Sequence, residues 1–396
     1  MKHLLKISVY SGAIPSTTFI EHLIKGIATK HQVFLFGSIK SRTAYNNPKV
    51  RIYGHYKNRL INLIISLWRL VLLAVLYPRR IKVLKHEILK QYSRYAKYQH
   101  FIKILPVLLH LPDIFHIQWA KDLEPWFFLK EHLNVKLIVS LRGAHINYSP
   151  ITNAALAKSY QSLFPKVDGF HAVSEAIAKE AQKYNAPEEK IEVIHSLLPK
   201  TTLQYFEGYK KRNPKQIHLV SVGRFHWKKG YRYALDALKL LKDRGVNVNY
   251  TIISSNCISE EILFQIHQLD LVEEVRILNG LPQHQLFGNL KTYDCFILPS
   301  LEEGIANVVL EAMALGVPVI STNCGGMAEV VIPNETGWLV PVRDHEALAE
   351  AVQELIHTSE AELQHIVLNA HDFVKKNFNA EKSIAQFLAL YERVMD

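Results

Sequence analysis

Cysteine is scarce in this sequence of 396 residues. Cys257, Cys295 and Cys324 are odd in number, far apart and in no Cys-x-x-Cys spacing, which excludes a disulfide framework and a cysteine zinc site. A reducing compartment is expected. Internal repeats and low-complexity tracts are missing, and there is neither a Walker A loop nor a Gly-x-Gly-x-x-Gly turn, so the commonest phosphate-binding loops are not offered. The apolar run at residues 1–10 is broken by Lys6 and lacks a small-residue cleavage site, so it reads as a first buried strand and not as a signal peptide. A cytoplasmic location follows as the expectation. Acidic residues almost vanish between Lys49 and Lys103, where Glu87 stands alone against 13 basic residues, interleaved with Trp68, Tyr77, Tyr92, Tyr95, Tyr98 and Phe101.

What is present describes a globular chain in two parts. Hydrophobic residues make up 48% and charged residues 21%, which excludes disorder. The length exceeds one ordinary core, so two domains of roughly 200 residues are expected. Residues 1–200 hold 29 Lys and Arg against 12 Asp and Glu, a net +17, whereas residues 201–396 hold 18 against 24, a net −6. The basic, aromatic-rich half suits an anionic membrane face, an anionic glycolipid or nucleic acid. Residues 60–77 are strongly apolar, but Asn62, Ser66 and Arg69 interrupt them and they fall short of the roughly 20 residues that span a bilayer. A core helix covering the sheet is the favoured reading of this segment, with a membrane-surface helix as the alternative.

Strand and helix patterns alternate twice. Residues 7–10, a turn containing Gly12, a helical pattern over 19–29 and a strand over 33–36 form a βαβ unit; strands follow at 114–117, 137–140, 169–173 and 191–194. Residues 203–216 lapse into polar residues and read as a linker. The second series places strands at 217–222, 250–253, 275–278, 295–298 and 318–321, with helices at 232–243, 260–270, 283–291 and 307–315 between them. Two doubly wound α/β halves result, and such folds bind ligands at the carboxyl ends of their strands.

Two segments carry the chemistry. Val222-Gly-Arg-Phe-His-Trp-Lys-Lys-Gly230 follows a strand and opens a helix; Gly223 permits a tight exit, and Arg224 and Lys229 can converge on a diphosphate. On its own, this loop reads equally well as two solvated cations. Pro299-Ser-Leu-Glu-Glu-Gly-Ile-Ala-Asn-Val-Val-Leu-Glu-Ala-Met313 repeats the arrangement, with free N–H groups near Asn307 and Val308 at a helix start that suits phosphate. Glu303 precedes that helix and Glu311 lies within it, on a face shared with apolar neighbours; their carboxylates can accept bonds from sugar and ribose hydroxyls.

These segments, with Glu311-Ala-Met-Ala-x-Gly-Val-Pro-Val-Ile, Gly325-Gly-Met-Ala-Glu329 and Thr336-Gly-Trp-Leu-Val340, closely resemble retaining glycosyltransferases of family 4, the glycosyl transferases group 1 domain, over residues 217–342. The resemblance implies a GT-B fold, two Rossmann-like domains facing a central cleft: residues 1–204 with a returning helix at 378–396 for the acceptor, and residues 215–377 for the donor. It implies that Arg224 and Lys229 neutralise the leaving nucleotide diphosphate and that Glu303 with Gly304, Ile305, Ala306, Asn307 and Val308 holds the donor sugar. Glu311 would take the ribose and the backbone at Leu281 the base. Transfer with retention, the leaving phosphate accepting the acceptor's proton, is expected without metal or cofactor, consistent with the absence of Asp-x-Asp.

The N-terminal match is looser: Ile14-Pro-Ser-Thr-Thr-Phe-Ile20 is similar to the opening loop of exopolysaccharide-building members, and Gly12 would bring backbone to the diphosphate. In Ser140-Leu-Arg-Gly-Ala-His145, Arg142 stands where many members have a histidine that contacts the donor sugar, and it cannot serve as a base at neutral pH. Ile194-His-Ser-Leu-Leu198 likewise departs from the usual Asn-Gly-Val-Asp. His145 and His116 are read first as ordinary structural histidines. The implied partners are a UDP- or GDP-linked sugar as substrate, a polysaccharide or lipid-linked glycan acceptor, and an anionic membrane surface on the inner face of the cell membrane; nucleic acid is not expected. The rival reading is an inactive glycosyltransferase-like scaffold, supported by Arg142 and Ser196.

Overall fold

The computed structural model describes residues 4–41, 45–209 and 216–396. In the first sheet seven strands run parallel in the order Val50–Ile52, Gln32–Leu35, Lys6–Tyr10, Ile114–Ile117, Lys136–Leu141, Gly169–Ala172, Ile191–Val193. The second has six, Val275–Asn279, Val248–Ser254, Ile217–Val222, Cys295–Leu298, Val319–Thr322 and Trp338–Val340, again all parallel. Central strands such as Ile114–Ile117 and Cys295–Leu298 are buried along their whole length. Helices cover both faces of such sheets, which is why these strands read as unbroken apolar runs. Both sheets sit in Rossmann-like units.

One compact unit comprises residues 1–172, 178–194 and 381–396; the other comprises 173–177 and 195–380. The segment expected as a linker lies partly outside the described residues. Its described part packs within the second unit: Phe206 stacks on His371 at 3.9 Å and Tyr205 meets the Phe287 ring edge at 5.5 Å. The turn expected at Gly12 is instead a short strand, Gly12–Ile14, paired in parallel with Gly37–Ile39.

The helix Ala380–Met395 returns to the first unit through a buried polar chain. Tyr391 Oη lies 2.8 Å from His116 Nδ1, His116 Nε2 is 2.9 Å from Ser140 Oγ, and Ser140 Oγ is 2.8 Å from His171 Nδ1. The His171 Nε2–H then donates to the Ile194 carbonyl at 2.9 Å. His116 is thus a structural histidine, as expected, and burial followed by the nearby Arg142 charge pushes its pKa down to about 3. Because the folded value lies below the ordinary 6.5, this contribution to stability is complete above about pH 6.5 and declines as pH falls toward 3. His55, His110 and His145, each lowered to about 4 chiefly by burial, act in the same direction. The stability of the first unit is therefore expected to fall below pH 6.5, with His116 contributing up to about 1.4 kcal/mol per pH unit. Denaturant melts between pH 4 and 7 check this; an unchanged slope in His116→Gln would reject the assignment.

A further expectation is overturned. The apolar segment forms the helix Arg59–Leu76, but it does not cover the sheet with its apolar side. Asn62 and Ser66 are 5% and 3% exposed, whereas Ile64 and Val75 are 68% and 73% exposed. Asn62, Ser66, Arg69 and Leu73 recur at helical spacing and form the inward face. The Asn62 side chain accepts from the Tyr56 N–H at 2.7 Å and donates to the Tyr56 carbonyl, while Arg69 donates from both terminal nitrogens to the Gly54 carbonyl at 3.3 Å. The residues that interrupt the apolar run are the ones that hold the helix down.

Candidate active site

In the second unit the strand Ile217–Val222 leads into a loop braced from several sides. Tyr231 donates to the Gly223 carbonyl at 2.9 Å. Asn256 accepts from the Phe225 N–H at 2.8 Å and donates to the Phe225 carbonyl at 3.2 Å, pinning the backbone just after Arg224. Arg224 itself is exposed. A short 3₁₀ turn, Trp227–Lys229, ends at Gly230, whose φ of +65° and whose contact with the Pro299 carbonyl, 1.9 Å from where a Cβ would sit, admit glycine alone. The Leu301 N–H donates to the Lys228 carbonyl at 2.6 Å, so this loop is stitched to the one that follows Cys295–Leu298.

That second loop buries Glu303, which is 8% exposed. Lys229 Nζ lies 2.5 Å from its Oε1 and Lys228 Nζ 3.4 Å from its Oε2, and the Ser300 hydroxyl donates to Oε1 at 3.1 Å. Burial alone would raise the carboxyl pKa. The charges of Lys229 and Lys228, with the hydrogen bonds from Lys229 and Ser300, outweigh it and hold the pKa below the usual value, so Glu303 is a carboxylate. Gly325 closes the loop from behind: its φ is +53° and a Cβ there would lie 1.7 Å from the Glu303 carbonyl. The adjacent Gly326 N–H donates to the Gly304 carbonyl at 2.8 Å.

Gly304, Ile305 and Ala306 are buried and lead into the helix Asn307–Leu315, at whose start Asn307 is exposed and Val308 half-buried. Ala306 has no side chain to cap it, and its carbonyl is taken by the N–H groups of Val309 and Leu310. The first-turn N–H groups of Asn307 and Val308 thus face outward at the positive end of the helix dipole, an arrangement suited to an anion. Glu311, one turn on, accepts from Gln283 Nε2 at 3.0 Å; burial pushes its carboxyl pKa up against the lowering effect of that bond. Leu281 is half-buried against the same apolar core as Val308. Thus Lys229 and Glu303 meet directly, while Glu311 is held separately by Gln283. Sequence reasoning missed the contacts of Lys228, Asn256 and Gln283, whose partners lie far along the chain, and that of Ser300 with Glu303 three residues on.

In the first unit Gly12 has a φ of +80°. Arg142 follows the strand Lys136–Leu141; its guanidinium lies 4.4 Å over the Phe19 ring and donates to Gln118 Oε1 at 3.2 Å. Burial lowers its pKa to about 9, which leaves it charged at neutral pH. Arg142 Nε and Gln118 Nε2 are buried donors without a protein partner, an uncommon state that a polar ligand would relieve. His145 lies 5.5 Å from the Trp119 ring and is kept neutral by burial and then by Lys121. A separate cavity of about 590 Å³ opens among Tyr10, His100, Lys103, Lys121, Asp122 and Trp126. Burial raises the Asp122 pKa against the pull of Lys121 and Lys103. Nearby, potential ligand atoms of His86, Glu87 and His132 lie within 4.8 Å of one another, with Glu87 already paired to Lys90 at 2.6 Å.

Two family models match this chain: Glycosyltransferase Family 4 over residues 16–197 and Glycosyl transferases group 1 over residues 207–371. Among named relatives, WcaL of Escherichia coli K12, a glycosyltransferase assigned to colanic acid biosynthesis, is 31% identical over 62% of this chain and 61% of its own length. The amylovoran biosynthesis glycosyltransferase AmsK of Erwinia amylovora is 29% identical over 81% of each chain. The match to WcaL thus spans about three-fifths of that relative. Among solved structures, Anabaena HepE in complex with UDP and glucose superposes with a TM-score of 0.70 at 16% identity, covering 98% of this chain and all of that one. The sucrose-phosphate synthase of Thermosynechococcus elongatus gives 0.73 at 17%, covering 98% and 99%. At such identities these structures speak to the fold, which is GT-B with two Rossmann-like units. The strand–loop–helix sites above fall within the group 1 match, and the chain belongs to the family 4 glycosyltransferases with the glycosyl transferases group 1 domain.

Proposed function

We propose that this protein transfers a sugar from a nucleotide-sugar donor, UDP- or GDP-linked, to a polysaccharide or lipid-linked glycan acceptor, with retention of anomeric configuration and without a metal. The observation that carries the reading is the Glu303 carboxylate, buried between Lys229 and Lys228 and followed at once by the uncapped start of the helix Asn307–Leu315. An anionic group that binds there meets two N–H groups, the helix dipole and the nearby cations. In the transfer, the acceptor hydroxyl oxygen bonds to the anomeric carbon as that carbon's bond to the diphosphate oxygen breaks, and the hydroxyl proton passes to a leaving phosphate oxygen. Arg224, Lys229 and the helix N-terminus stabilise the charge that develops on the diphosphate. Glu303 accepts hydrogen bonds from the sugar hydroxyls and Glu311 from the ribose. In the other unit, Arg142 acts as a charged donor and Gly12 as a site of close backbone approach.

The relatives' assignment to colanic acid and amylovoran biosynthesis supports a polysaccharide product. The cavity lined by Tyr10, Lys103, Asp122 and Trp126 combines ring faces with charged hydrogen-bonding groups and suits a saccharide acceptor. The basic first half, a net +17 over residues 1–200, supports a position on an anionic cytoplasmic membrane face.

Calorimetric titration with UDP, GDP and ADP tests the donor site. One nucleotide is expected to bind, and Arg224→Ala and Glu311→Ala are each expected to weaken it by roughly tenfold or more, as loss of a charge-assisted contact does. No binding by any of the three would reject the enzyme and favour a scaffold that retains only the fold.

A further inference from the structure

We infer that the outward face of the helix Arg59–Leu76 lies in the plane of an anionic lipid surface and inserts among the acyl chains. The inference deepens the membrane-surface part of the proposed function by assigning it to a defined element. Leu60, Ile64, Leu67, Trp68, Val71 and Val75 are all exposed and recur at helical spacing along one side. A soluble monomer rarely leaves so large a continuous apolar surface in water. The helix is about 27 Å long and could nearly cross a bilayer by length. Spanning is disfavoured because Asn62 and Arg69 are bonded to Tyr56 and Gly54, and those bonds would have to break in hydrocarbon, where no replacement exists. With the polar face anchored to the protein and the apolar face free, the helix satisfies both sides only when it lies flat.

Charge selects the kind of surface. Lys57 and Arg59 stand exposed at one end of the helix, and Arg79, Lys82 and Lys85 follow its other end. Between residues 49 and 103 the sole acidic group, Glu87, is 5% exposed and paired with Lys90, so this region shows water no carboxylate. Trp68, Tyr77, Tyr92 and Tyr95 are exposed as well, ring types that favour the headgroup boundary. A basic collar around an apolar stripe matches anionic headgroups over acyl chains; a second copy of this chain would set like charges against each other.

The test uses the full chain with phosphatidylcholine vesicles made with and without phosphatidylglycerol. Binding is expected to the anionic vesicles, and Ile64→Glu with Val71→Glu should weaken it by roughly tenfold or more, since two carboxylates then face lipid. Brominated acyl chains should quench fluorescence in wild type and less in Trp68→Phe. An unchanged nucleotide-induced thermal shift in the double variant shows that it is folded and that the donor site is independent. If the double variant binds like wild type, the helix assignment falls while attraction to a basic surface stands. If wild type binds neither vesicle, the membrane reading falls and the donor reading is untouched. A wild-type dimer that the double variant breaks, without vesicle binding, would give the face to a second copy and overturn the inference.

Discussion

Lys229→Ala is expected to reduce turnover about 100- to 1000-fold, the usual cost of removing one preorganised group that stabilises charge developing in a transition state. Two effects combine. On the proposed mechanism the leaving diphosphate loses a cation, and Glu303 loses the partner 2.5 Å from its Oε1. Breaking a buried ion pair outright costs roughly 3–5 kcal/mol. Here the expected loss is nearer 2 kcal/mol, because Lys228 at 3.4 Å and the Ser300 hydroxyl remain on the carboxylate. Steady-state kinetics beside a thermal melt separate the two effects. A lower Tm with turnover changed less than about tenfold would make the pair a brace for the loop and remove Lys229 from the chemistry. Lys229→Arg keeps the charge but not the shape, and should recover stability more fully than turnover.

Gly325→Ala should be the most damaging small substitution in the second unit. Its new methyl would sit 1.7 Å from the Glu303 carbonyl, and φ of +53° adds left-handed strain for any residue with a Cβ. Backbone cannot yield as a flexible side chain can, so the loop carrying Glu303 and Gly304 must move. Left-handed strain and overpacking together cost roughly 2–5 kcal/mol. For a unit of this size that lowers Tm by roughly 5–15 °C. Nucleotide binding should be lost with it. Gly245→Ala is the control: φ there is +76°, but nothing lies within 4 Å of the added carbon, so only the strain of about 1 kcal/mol is expected. Equal losses in the two variants would show that the packing of Gly325 on the loop is immaterial.

Much of this architecture was legible in order along the chain. Parallel strands buried on both faces leave apolar runs such as Cys295–Leu298, and helices between them leave a 3.6-residue stripe, so both doubly wound units could be read with their main strands. The placement of Arg224, Lys229, Glu303 and Glu311 was also readable, because they stand in segments where a strand ends and a helix begins. The three-residue strands Gly12–Ile14, Gly37–Ile39, Val50–Ile52 and Trp338–Val340 escaped, being too short to show a period.

Other features were decided by tertiary structure alone. Lys228 on Glu303 and Asn256 on Phe225 join separate loops, and Gln283 on Glu311 joins two helices, that only the folded sheet brings together; Ser300 reaches Glu303 within one loop. The helix Arg59–Leu76 shows the distinction most sharply. Its sequence determined that one stripe is polar and the rest apolar, and that periodicity is the same whichever side faces the protein. The direction was settled by unpaired backbone groups at Gly54 and Tyr56, which Arg69 and Asn62 satisfy. The polar stripe is thus held on the backbone of buried Gly54 and of exposed Tyr56, and the apolar face is left outward.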